Sequence, residues 1–147
     1  MIANTEAPTK LSAAIHMALE DQLAVEKDPL VEINMGSWHD PQGEFYKCSV
    51  CFAGAVMHQR FELGPNDKAE PDYFAEDWFR VFKALDAVRR GGVGMALRYI
   101  NPYGDIKCWV DACKISMTRP FPKYSENREK FREEMRSIAK QLEEMGL

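Results

Sequence analysis

The chain has 147 residues, 46% of them hydrophobic and 29% charged, with a formal net charge of -4. That length suits one domain, residues 1–147, with a genuine core, and the composition excludes a disordered chain. The negative balance argues against a general nucleic-acid or anionic-membrane binder, which needs clustered positive charge, but suits a partner that is itself basic.

Residues 1–8 read as a loose leader without the basic-then-apolar order of a signal sequence. No apolar run reaches the roughly 18 residues of a membrane helix. The expected setting is the cytoplasm of a bacterial host, where the four cysteines stay reduced. From Thr9, a candidate N-cap, Leu11, Ile15, Leu19 and Leu23 recur every four residues, and Asp28-Pro29 ends the helix they predict. His16 lies beside that stripe and reads as packing or solvent-facing.

From Leu30 the period changes to two. Val31, Ile33 and Met35 alternate with polar or small residues, Asp40-Pro41-Gln42-Gly43 spells a turn, and Phe45 to Val50 returns. Residues 30–50 therefore read as a hairpin with Trp38 and His39 near its tip. Ser49 is placed to cap a helix over 50–63, in which Gly54 admits a close backbone. Gly64-Pro65-Asn66-Asp67 is a loop, and Pro71 opens the next helix. That helix carries Phe74, Trp78, Val81, Phe82, Leu85 and Val88, ends with Arg89 and Arg90, and stops at Gly91-Gly92.

Residues 93–100 fit a short helix or a strand. After the turn at 101–105, Ile106, Cys108 and Val110 alternate, and the phase flips to Cys113, Ile115 and Met117, as two short strands or a bulge would give. Pro120 and Pro122 mark a linker. A last helix is expected after Ser125, with the seam Phe131, Met135, Ile138, Leu142 and Met145 docked on the core or on a second copy as a homodimer. The fold class expected is α+β: three to four helices on a small antiparallel sheet or hairpin, with a long amphipathic C-terminal helix.

Four constellations carry chemistry. Cys48, Cys51, Cys108 and Cys113 offer four thiolates for a structural zinc, the alternative to having no cofactor. Cys48 and Cys51 alone, between strand and helix, have the spacing of a redox dithiol, although the order of elements differs from the thioredoxin type. Trp38-His39-Asp40 supplies a stacking ring and an acid-flanked imidazole without an accompanying nucleophile motif. Arg89, Arg90, Arg98, Arg119 and Lys123 can meet an anion or an acidic loop, with Tyr99 and Tyr103 alongside. The binding residues expected are thus Trp38, His39, Arg89, Arg90, Arg98 and Arg119, with no catalytic set.

The run Cys48-x-x-Cys51-Phe52-Ala53-Gly54-Ala55-Val56-Met57, followed by Leu85-Asp86-x-x-Arg89-x-Gly91, resembles small phage and prophage accessory proteins. The resemblance implies a non-enzymatic protein that binds and inhibits a host or bacterial defence component, as anti-CRISPR and other anti-defence proteins do. A sponge for a nucleotide-like ligand and a cysteine-based zinc or redox domain remain the alternatives.

Overall fold

A computed structural model describes residues 6–41, 47–115 and 127–147. Helix α1, Leu11–Glu26, is the central rod. Its buried face, Leu11, Ile15, Ala18 and Leu19 with Ala14 alongside, repeats at the helical period. Lys10, not Thr9, occupies the N-cap and gives no side-chain cap. Two helices pack most extensively on α1: α2, Phe52–Arg60, and the C-terminal α6, Arg128–Glu144. Phe131, Met135, Ile138 and Leu142 of α6 are fully buried, so the seam offered to a second copy is covered within the chain. Arg132 of α6 pairs with Glu26 at the end of α1, and His16 meets Glu143.

The sheet is not a hairpin. Its strands are β1 (Val31–Ile33), β2 (His39–Pro41) and β3 (Cys48–Val50), in the order β1-β3-β2. β3 is central, parallel to β1 and antiparallel to β2. The chain after β1 turns early, at Asn34–Ser37, so β2 pairs only with what returns after it. The register puts Val31, Ile33, His39, Pro41, Cys48 and Val50 on one face, because directly paired residues share a side and the strand period is two.

Beyond α2, a 3-10 turn at Pro71–Tyr73 precedes α3, Glu76–Arg89. Around the start of α3, Phe61 meets Phe74, Trp78 and Phe82 edge-to-face, Phe74 meets Phe82 likewise, and Trp78 stacks on Phe82. Gly91, at φ 87, ends α3 as expected. Residues 93–100 resolve as helix α4, Val93–Ile100, which packs along α3.

The expected strands beyond Ile106 are instead a helix, α5, Ile106–Ala112, capped by Asp105, whose carboxylate accepts from the Lys107 amide. Gly94 explains how α5 fits against α4: a Cβ there would lie 2.1 Å from Cys113 Sγ. Asn127 caps α6 through Lys130, while Ser125, the cap expected, lies outside the described residues, as do Met117 and the linker prolines. The class is α+β, but with six α-helices among the described residues and a mixed three-stranded sheet. None of those helices is long and apolar enough to cross a membrane.

Candidate functional site

Gly54 organises the neighbourhood of the sheet. A Cβ at this position would sit 1.6 Å from the carbonyl oxygen of Trp38, so only glycine lets the backbone entering β2 lie on α2. His58 follows Gly54 by four residues, hence on the same face of α2. The contact that brings in Trp38 therefore brings the next residue, His39, to His58. Cys48 lies on the same side of the sheet as His39, one register step along.

His39 Nε2 and His58 Nδ1 are 3.0 Å apart, and Cys48 Sγ is 3.9 Å from the same His58 nitrogen. His39 and Cys48 are fully buried, and the His58 side chain is 11% exposed. The other nitrogen of each ring is also engaged. His39 Nδ1 lies 2.6 Å from the carbonyl of Asp67, which can only accept, so this nitrogen carries the proton. Ala69 N donates to His39 O, which pins the 64–69 loop to the histidine a second time. His58 Nε2 faces Asp28 Oδ2 at 3.6 Å, while Asp28 Oδ1 accepts from Leu30 N in the Asp-Pro turn.

Burial is the largest influence on the buried titrating groups here. It pushes the His39 imidazole below its ordinary value, against the pull of the Asp67 carbonyl. It pushes the Cys48 thiol up to about 11, with Asp28 adding to the rise. Cys51 is likewise pushed up to about 11 by burial, although it caps α2 and its sulfur accepts from Gly54 N at 3.3 Å. A redox dithiol needs a thiol lowered by the helix terminus; here desolvation outweighs that effect.

The four cysteines do not gather. Cys48 belongs to the small cluster of Val25, Val50 and Ala55, Cys51 to the main core, and Cys108 and Cys113 to α5 and its end. Among the described residues, the one group of three or more metal-ligating side chains is His39, Cys48 and His58. Cys48 and His39 stand out in the sequence reading, but His58 does not. The signal for it is its place four residues beyond Gly54.

The expected arginine surface is divided. Arg89 and Arg90 both bind Asp86, at 2.9 and 3.1 Å, whose single charge offsets one of their two. Trp38 is partly buried against the core, and with Arg90, Asp86 and Cys51 it lines a recess of about 40 Å³. Arg98 lies on α4, its guanidinium 5.1 Å from the Trp109 ring centre. Arg119 and Lys123 fall outside the described residues. His39, expected as a surface contact, is instead wholly enclosed.

Leu23, Leu30, Tyr73 and Met145 are exposed singly on other elements, and four further large hydrophobic side chains fall on α4, α5 and the turn between them. Met95 on α4, Tyr103 in the following turn, and Ile106 and Val110 on α5 are 50–92% exposed. Ile106 and Val110 are four apart, so they share one face of α5. Comparison with protein-family models, curated proteins and solved structures gives no match.

Proposed function

We propose that the chain is a non-enzymatic binding protein of the phage accessory type, which inhibits a host or bacterial defence protein by covering part of its surface. The observation that carries this reading is the concentration of exposed Met95, Tyr103, Ile106 and Val110 on the α4–α5 unit. Methionine, aromatic and arginine side chains are the types enriched at protein interfaces, and Arg98 sits on Trp109 beside them. The complementary partner face is apolar with carboxylates at its edge, to meet Arg98 and Lys107.

The buried Cys51 thiol supports the non-enzymatic reading, since a protonated thiol is a poor nucleophile at neutral pH. A nucleotide sponge finds less support. The recess of about 330 Å³ beside α3 is lined by Glu76 and Asp77 with Arg80, a poor setting for phosphate.

The test is co-expression of the protein with bacterial defence systems and affinity capture of its target. The wild type is expected to retain one defence component stoichiometrically and suppress its activity. The double variant Ile106→Asp, Val110→Asp should lose both while melting as the wild type does, because both side chains are already exposed. Inhibition that survives this double change contradicts the α4–α5 face. Covalent turnover of the target contradicts the non-enzymatic reading.

A further inference from the structure

We propose that His39 Nε2, His58 Nδ1 and Cys48 Sγ form a binding site for a divalent transition-metal ion of the zinc class. The site joins β2, β3 and α2, and it is separate from the α4–α5 surface.

The first argument is that the two facing nitrogens can each present a lone pair. His39 Nδ1–H is committed to the Asp67 carbonyl, which leaves Nε2 as an acceptor. His58 Nε2 stands 3.6 Å from the Asp28 carboxylate, beyond hydrogen-bond reach but favourable to a proton on that nitrogen, the tautomer in which Nδ1 is an acceptor. In that tautomer two acceptors stand 3.0 Å apart with a sulfur beside them, an arrangement that a cation between them satisfies. A proton does so for the nitrogens alone; a metal ion does so for all three atoms.

The second argument is spacing. With Zn–N near 2.0 Å and Zn–S near 2.3 Å, tetrahedral ligands stand about 3.3 Å apart for N···N and about 3.6 Å for N···S. The observed 3.0 and 3.9 Å lie within a few tenths of an ångström of those values, and all three atoms fall within 4.8 Å of one another. The two rings meet nearly head-on, their centres 5.3 Å apart, so metal binding also turns both imidazoles towards the sulfur.

The third argument is the surrounding shell. Ligating histidines characteristically donate their remaining N–H to a carboxylate or a backbone carbonyl, which fixes the ring and its tautomer. Here His39 has the carbonyl of Asp67, and the carboxylate of Asp28 stands near His58 Nε2 at 3.6 Å. Both acceptors are themselves held, Asp28 by Leu30 N and the Asp67 loop by Gly64 N and Ala69 N. An imidazole pair with a thiolate is a donor set of intermediate softness, which favours zinc-class ions over magnesium or calcium. Three protein ligands leave the fourth tetrahedral position to a water or an external ligand.

The test uses the full chain without an affinity tag, purified under reducing conditions, stripped with a chelator and titrated with Zn²⁺ and with Co²⁺. Native mass spectrometry is expected to show one Zn²⁺ per chain. Co²⁺ should give a thiolate-to-metal charge-transfer band in the near ultraviolet. Cys48→Ser, nearly isosteric, should abolish that band and weaken zinc binding by about 100-fold, and His58→Asn should weaken it similarly. Asp28→Asn, which spares the ligands, should cost about 10-fold. Thermal melting without metal establishes that each variant folds. Absence of both the zinc increment and the cobalt band overturns the site. So does binding that is equally strong in folded Cys48→Ser and His58→Asn.

Discussion

Gly54 determines where His39 and His58 meet, because the Trp38 carbonyl occupies the space that any side chain would need. The nearest obstacle is backbone, with Val50 Cβ also only 3.1 Å away, so Gly54→Ala has no flexible neighbour to displace. It is expected to destabilise the fold by about 3 kcal/mol, read from urea unfolding. Wild-type stability in that variant would show that the sheet does not rest on α2 in this way. Cys51 gives a pH signature of its own. Its thiol is raised from the ordinary value of 9.0 to about 11 by burial. The unfolded chain therefore releases this proton first. The contribution is intact below about pH 9 and is lost as the pH rises through 9 towards 11. Melting temperature should fall across that window, and less steeply in Cys51→Ala. Equal slopes would contradict the assignment.

Between elements, charged pairs reinforce the apolar contacts. Asp21 of α1 is nearly enclosed, and Arg60 at the end of α2 binds it at 3.0 Å. Burial raises the Asp21 carboxyl above its ordinary value even so, Arg60 opposing the rise. Arg60→Ala should therefore leave a buried carboxylate unpaired and cost about 2 kcal/mol by chemical denaturation. The loss should shrink at acid pH, where Asp21 takes up a proton. Helices α1, α3 and α6 are legible in the sequence because each buries one stripe at the helical period. The stop signals at Asp28-Pro29 and Gly91 are legible for the same local reasons. α5 is not, since Ile106 and Val110 are exposed and, of its residues, only Ala112 is fully buried; its apparent alternation reflects no core face. The β1–β3 pairing is not legible either. It is parallel and joins residues 17 apart in the chain, which a hairpin pattern cannot express. Of the site, His39 and Cys48 can be picked out singly, but their meeting with His58 depends on the strand order and on the close approach at Gly54.

At the scale of the molecule, the exposed apolar side chains of α4 and α5 and the His39–Cys48–His58 cluster lie on different elements. The α4–α5 unit presents Met95, Tyr103, Ile106 and Val110 outward, while α3 and, more lightly, α1 pack against α4. The short three-residue strands lie at the other side of α2 and carry little apolar area of their own, with Val25, Cys48, Val50 and Ala55 forming a small separate cluster. A metal ion held by β2, β3 and α2 would tie that cluster to the helices at one point, and stabilise it by mass action. Amide hydrogen exchange on the full chain, with and without Zn²⁺, measures this most directly. Protection is expected to rise together in His39–Pro41, Cys48–Val50 and Phe52–Arg60, with α4 and α5 unchanged and with no rise in Cys48→Ser. Unchanged exchange in those three segments at saturating Zn²⁺, or a rise confined to other segments, would contradict a metal centre at His39, Cys48 and His58.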